Sequence, residues 1–348
     1  MSKIFINGRT ICVGEPCYIV AEMSANHGQT FDQAVKIIEA AKEVGADAIK
    51  LQTYTPDTMT INANNEFFQI KGTIWEGRNL YELYGEAYTP WEWQPKLKEI
   101  ADRLGLDFFS TPFDQTAVDF LEKLEVPAYK VASFELVDLP LLRRIAETGK
   151  PVIMSTGMAS LAEIEEAVET VQQAGANHIA LLKCTSAYPA PPEDMNLRTI
   201  PHMAAAFDLP VGLSDHTLGN DVAVAAVALG ACIVEKHFTL SRGNLGPDSS
   251  FSTEPQEFKE MVKAIRRVER TLGRILYEIT EREKSSQVFR RSLFVVEDMQ
   301  AGEKFTEVNV RSIRPGFGLH TRHLSEVLGR RASKDIPKGT PLAWDLIE

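Results

Sequence analysis

Cysteine is scarce in this chain, with four in 348 residues and no CxxC pair among them. Cys12, Cys17, Cys184 and Cys232 are too few and too scattered to staple a protein of this size, which argues against a disulfide framework. No run approaches the ~18 consecutive apolar residues of a membrane span. The opening MSKIFINGRTI has none of the apolar stretch of a secretory signal. The expectation is a reduced, cytoplasmic protein. Positive charge is also short, with 37 Lys and Arg against 48 Asp and Glu for a net charge of −11. Nucleic-acid surfaces need clustered Lys and Arg, so that partner class is excluded. No GxGxxG follows the first apolar run, which removes the dinucleotide-binding fingerprint.

What is present is a regular alternation. With 44% hydrophobic and 24% charged residues, the chain has the balance of an ordinary globular protein. Short β-type runs at 17–22, 48–53, 107–110, 128–133, 151–156, 178–183, 210–214 and 232–236 alternate with helical patterns. The helices are expected at 32–44, 94–104, 114–124, 138–147, 160–174, 196–207, 220–229 and 256–272. Strands that are apolar almost throughout, each followed by a helix, indicate a parallel sheet covered on both faces. Eight such units in roughly 250 residues predict an α/β fold, a (β/α)8 TIM barrel rather than an open doubly wound sheet.

The pattern changes near residue 285. RRSLFVVEDMQAGEKFTEVNVRSIRPGFGLH and GRRASKDIPKGTPLAWDLI carry short β-type runs broken by AG, PG and KG turns. We expect two domains, 1–284 and 285–348, the second small and β-rich. The NGR between two short apolar runs in the first 15 residues predicts a hairpin closing the barrel floor.

In a TIM barrel the C-terminal strand ends form the active site. Here they carry Glu22, Lys50 with Gln52, Ser110 with Thr111, and Lys130 with Ser133 and Glu135. The series continues with Ser155 and Thr156, Lys183, Ser214 with Asp215 and His216, and Glu235 with Lys236 and His237. Ser and Thr cap helices routinely; four lysines and two histidines at strand ends are not explained that way. His216 and His237 follow neighbouring strands and could share one divalent metal, leaving positions for water and substrate. The competing reading is one backbone-bonded structural histidine and one incidental one. Lys50, Lys130, Ser133, Ser155, Ser214 and Thr111 suit a phosphate or carboxylate, unless each Lys is neutralised by Glu22, Glu135 or Glu235.

The connection from Thr53 to Gln94 is unusually long for a barrel loop. It contains WEGRNLYELYGEAYTPWEW, with aromatics at 75, 81, 84, 88, 91 and 93. We expect a lid with apolar walls, part of whose aromatics pack among themselves.

AEMSANHGQ, KLQTYTPDT, FFSTPFD, PAYKVASFE, MSTGMAS, LLKCTSAYPAP, GLSDHTLGN and EKHF together resemble the sialic acid synthase family. NVRSIRPGFG and ASKDIPKGT resemble the antifreeze-like (SAF) domain of that family, so the resemblance covers essentially the whole chain. Within the family, ANHGQ and GTIWEGRNLYELYGEAYTPWEW are most similar to the pseudaminic acid synthase branch. Ser186 stands where N-acetylneuraminate synthases usually carry Asn, and 241–252 keeps Gly246, Pro247 and Asp248 but differs around them.

The resemblance implies condensation of phosphoenolpyruvate with an acetamido sugar, 2,4-diacetamido-2,4,6-trideoxy-L-altrose in that branch. The alternatives are the sugars leading to N-acetylneuraminic or legionaminic acid. It implies a divalent metal, Mn2+, on His216 and His237, and Glu22 in proton transfer or water positioning. It places phosphoenolpyruvate on Lys50, Thr111, Lys130, Ser133, Ser155 and Ser214. The sugar falls to Gln52, Glu135, Tyr188, Asp248 and Arg314, the last reaching a partner subunit's site in a swapped homodimer.

Overall fold

The computed structural model describes residues 2–244 and 246–348. Its strands are β1 (Ile4–Ile6), β2 (Arg9–Ile11), β3 (Tyr18–Glu22), β4 (Ala48–Thr53), β5 (Asp107–Pro112) and β6 (Tyr129–Val131). Then come β7 (Val152–Ser155), β8 (Ile179–Cys184), β9 (Val211–Asp215), β10 (Ile233–His237), β11 (Ser292–Val295) and β12 (Val310–Ile313). Strands β3 to β10 form a closed barrel in sequence order, with β10 pairing β3 in parallel. The predicted (β/α)8 architecture is therefore observed.

Each barrel helix buries one stripe on the strands. In Pro255–Leu272 the buried positions are Phe258, Met261, Val262 and Ile265, the i, i+3, i+4, i+7 face of an amphipathic helix. All five residues of β3 are buried, which is why its sequence reads as one apolar run. The glycine of PVGLS is dictated by close approach. A Cβ on Gly212 would lie 2.5 Å from the Ile233 carbonyl oxygen and 2.7 Å from Leu182 Cδ2.

The N-terminal hairpin forms as expected. Asn7 and Gly8 both have positive φ, 47° and 77°, as a two-residue hairpin turn of right-handed twist requires. Ile4, Ile6 and Ile11 are fully buried in the main core. Asp47 ties this end together, accepting from Arg9, from Arg266 at 3.0 Å and from the Ile19 N–H at 2.8 Å.

The chain divides into two compact units, one ending at Gly273 and the other Arg274–Glu348. In the second unit β11 and β12 pair antiparallel over a small core that includes Leu293, Val295, Phe305, Val310 and Ile336. The stretch before residue 285 joins this unit, and nearby the Gly316 N–H donates to the Val288 carbonyl at 2.9 Å. Among the described residues, no helix is long and apolar enough to cross a membrane. All four cysteines are free thiols.

Candidate active site

Strand register builds the site. β10 sets His237 beside Glu22, and β3 sets Glu22 beside Lys50. Side chains alternate between the two faces of a strand, so Glu235 and His237 face one way and Lys236 the other. The contacts agree. Lys50 Nζ lies 2.6 Å from Glu22 and 3.6 Å from Glu235, and donates to Thr111 Oγ1 at 3.3 Å. Ser214 Oγ donates to Glu235 at 3.3 Å, and Lys130 Nζ to Ser155 Oγ at 2.6 Å. Lys236 instead bonds Asp215 and the Thr217 carbonyl. Lys183 is spent on the Cys184 carbonyl and Thr185.

Of the four strand-end lysines, the two expected to bind an anion, Lys50 and Lys130, are the ones in this cluster, Lys130 also donating to the Val131 carbonyl at 2.8 Å. Lys50 is neutralised, because Glu22 and Glu235 bracket it. Each charge bears on the others. Burial disfavours the Lys50 ammonium, yet the two carboxylates outweigh it and raise its pKa. Burial raises the Glu22 pKa even with Lys50 beside it. Glu235 is held below the usual carboxylate range, because Lys130 and Lys50 overcome the cost of its burial. Lys130 is pushed down, chiefly by burial.

Ser133 accepts from the Gly157 N–H at 3.1 Å. Gly157 is a cradle, since a Cβ there would meet Ser186 Oγ at 2.3 Å and Ser133 Oγ at 2.8 Å. Glu135, half-buried, keeps an unpartnered carboxylate oxygen among the described residues, and burial pushes its pKa up to about 7. Gln52 donates to Glu22 at 3.0 Å and to Ser24 at 2.9 Å, and the Ser24 hydroxyl donates to Asp248. Gln52, Glu22 and Asp248 thus sit on one network. Leu245, in the same 241–252 segment, lies outside the described residues.

His216 and His237 come together at the mouth, with ring centroids 5.4 Å apart, His216 buried and His237 half-buried. His216 Nδ1 donates to the Thr185 carbonyl at 2.9 Å, which fixes the tautomer and leaves Nε2 as a lone pair. That backbone bond is the arrangement metal-ligating histidines adopt. His237 Nδ1 is buried without a hydrogen-bond partner. An orphaned buried nitrogen costs stability unless something pairs with it, and burial with the neighbouring His216 lowers its pKa, keeping the ring neutral. Burial opposes protonation of His216, but Cys184 outweighs it and raises its pKa, so His237 alone is held neutral. Unprotonated, the two rings would offer a divalent metal two nitrogen donors. Among the described residues, no cluster of three or more His, Cys, Asp or Glu could hold a metal. His216 and His237 are the residues that would hold one.

Aromatic rings surround the pair. Tyr188 lies 4.4 Å from His216 and 5.3 Å from Phe251, and Phe251 is 5.1 Å from His237. Among the described residues, the aromatic of the long 54–93 connection that contacts this wall is Trp75, 5.8 Å from Tyr188. Several other aromatics of that segment have partners elsewhere. Trp91 packs on Phe120, Trp93 on His27 and Phe31, Tyr84 on Tyr54, and Tyr81 bonds Asp57. His27 is fully buried between Trp93 and Thr89, and burial lowers its pKa to about 4.

Sequence reasoning missed Cys184. It faces inward beside Ser214 in register, its sulfur 3.8 Å from His216 Nδ1. Burial opposes its ionisation, but His216, Ser133 and Lys130 bring the thiol down to about 7. Its place two residues after Leu182, on alternate β8 positions, was the available signal. Arg314 is exposed in the C-terminal unit, where no hydrogen bond or ion pair engages it among the described residues.

Comparison with known proteins follows the same lines. Residues 290–348 match the SAF domain and residues 37–277 match the NeuB family. A pseudaminic acid synthase of Helicobacter pylori is 45% identical over 96% of this chain and 98% of its own length. An N,N'-diacetyllegionaminic acid synthase of Legionella pneumophila is 37% identical over 95% of each chain. The crystal structure of an N-acetylneuraminic acid synthetase from Leptospira borgpetersenii is 31% identical, with a TM-score of 0.73 over 82% of this chain and 95% of that one. This chain belongs to the NeuB family of enzymes.

Proposed function

We propose that the chain condenses phosphoenolpyruvate with the trideoxy altrose and water, giving pseudaminic acid and phosphate. The observation that carries the reading is the Lys50–Glu22–Glu235 and Lys130–Ser155 cluster close to the paired histidines and their aromatic neighbours. An anion pocket next to a carbonyl-polarising pair is what an enol phosphate and an aldehyde need.

In this reading C3 of phosphoenolpyruvate attacks the sugar aldehyde, water adds at C2, and the tetrahedral carbon expels phosphate by C–O cleavage. Lys130, Ser155, Ser133 and the Gly157 N–H hold the phosphate and carboxylate, with Lys50, Thr111 and Ser214 beside them. A bound phosphate would draw Lys50 from its carboxylates. Glu22, its pKa raised by burial and its carboxylate anchored by Gln52, is placed to orient water and take its proton. Glu135, Gln52, Tyr188 and Asp248 hold sugar hydroxyl and acetamido groups. A divalent cation on His216 and His237, Mn2+ by preference, would supply Lewis acidity to the aldehyde oxygen. The four free thiols support a cytoplasmic site of action.

Phosphate release with Mn2+ is the test, comparing the trideoxy altrose, N-acetylmannosamine and the legionaminic precursor. We expect release chiefly with the altrose. Release chiefly with another sugar would change the substrate, and none with any sugar in metal-loaded protein would overturn the reaction.

We further propose that exposed Arg314 serves the sugar site of a second copy in a homodimer. Arg314→Ala should raise the sugar KM roughly tenfold, as loss of a charged hydrogen bond does, and leave the phosphoenolpyruvate KM alone. An unchanged sugar KM would remove it from the site.

A further inference from the structure

The stretch 60–79 of the long connection is tied down at its base. Gln69 bridges Asn79 antiparallel, Ile70 exchanges hydrogen bonds with Arg78 and Gly77, and Asn79 donates to the Ala63 carbonyl at 2.7 Å. Its tip, around Lys71–Ile74, is exposed. Among the described residues, 60–79 makes one hydrogen bond beyond 54–93: Trp75 Nε1 to the Pro247 carbonyl at 2.9 Å. Pro247 precedes Asp248, which is itself fixed by Ser24 and the Ala25 N–H. The Trp75 ring meets Tyr188, which lies on His216.

We infer that Trp75 is the specificity-determining residue of the sugar site, closing it through the Pro247 bond and presenting its ring as the pocket's apolar wall. This rests on the reading above and deepens it. A tip carried on a base 172 residues in sequence from its anchor makes one directed contact among the described residues, and the residue making it is the one whose ring meets Tyr188, itself on His216. Tyr81, Tyr84, Trp91 and Trp93 contact other partners. Indole adds a large flat apolar surface and one N–H that needs a partner when buried. Such a wall favours a sugar carrying methyl groups where another carries hydroxyl. A hydroxyl pressed on the ring without a partner is desolvated at a cost, whereas a methyl is not.

Trp75→Ala and Trp75→Phe separate wall from closure, because Phe keeps a ring and loses the N–H. Thermal melts close to wild type establish that both variants fold. For Trp75→Ala we expect the trideoxy altrose KM to rise at least about tenfold, the phosphoenolpyruvate KM to stay within twofold, and the preference over N-acetylmannosamine to shrink roughly tenfold. Trp75→Phe should keep the preference and show a smaller rise in KM. An unchanged sugar KM and preference in Trp75→Ala would overturn the inference, as would equal rises for both substrates. The second readout is the tryptophan fluorescence change on adding each sugar, taken as wild type minus Trp75→Phe. A Trp75-dependent signal without phosphate release would keep the wall and overturn the reaction. Release with no Trp75-dependent signal and no KM effect would do the reverse.

Discussion

Replacing His237 by Ala should abolish Mn2+ binding and lower phosphate release by roughly a thousandfold, since Lewis-acid stabilisation of a developing charge is worth several kcal/mol. The variant should fold nearly as well as the parent. His237 Nδ1 has no partner in the fold, so removing it discards an unsatisfied buried polar atom and offsets part of the cost of the cavity left behind. His216→Ala is expected to differ. It too should lose metal, but it also strips the Thr185 carbonyl of the donor 2.9 Å away, so its melting temperature should fall further. Titration calorimetry with Mn2+, phosphate release and thermal melts measure all three quantities. Metal affinity and turnover near wild type in His237→Ala would end the metal assignment, whatever the melts show.

Much of the architecture was readable because its causes are local. A parallel strand buried on both faces reads as an apolar run, so β4 (48–53) was placed at its observed bounds and the helix Gln94–Leu104 likewise. Asn7–Gly8 announces its own turn. The strand ends gave the site's location for the same reason. What a linear reading does not supply is which face of each strand a residue occupies and what lies opposite. Lys183 and Lys236 stood at strand ends without an assigned role, and their partners emerge only in three dimensions: parity turns Lys236 onto Asp215, and Lys183 donates to the Cys184 carbonyl and Thr185. Glu235 was visible only as a competitor for lysine, and in the structure it is one wall of the pocket. Cys184 went unread because a small buried thiol in an apolar strand carries no pattern. The long connection was legible as exceptional in length and aromatics, but which ring faces the histidines is decided by a contact with Pro247.

Lys50→Met should be the most damaging single change for stability and substrate binding together. Lys50, Glu22 and Glu235 are all buried, with side-chain exposures of 5%, 1% and 8%. Methionine keeps most of the stem and removes the charge, leaving two carboxylates with Lys130 as their remaining nearby cation. Breaking a buried pair from one side costs about 3–5 kcal/mol, because the remaining charge is uncompensated. Turnover should drop with it as the phosphoenolpyruvate KM rises. The stability loss carries a pH signature. In the parent, Glu235 has a depressed pKa and stabilises the fold above its unfolded value, an effect lost as pH falls through the folded one. Without Lys50 the folded-state pKa values of both carboxylates rise. A group with a raised folded pKa binds its proton more tightly in the native state, so stability falls as pH climbs from about 4.3, the ordinary Glu value, through that raised pKa. The deficit relative to the parent should therefore be full at pH 8 and smaller at pH 5. Adding Glu235→Gln to Lys50→Met should recover part of it at pH 8, since one uncompensated charge is gone. Urea unfolding of parent, single and double variants at both pH values measures this. An equal loss at pH 5 and pH 8 with no recovery in the double variant would mean that the stem's packing, and not its charge, holds this end of the barrel together.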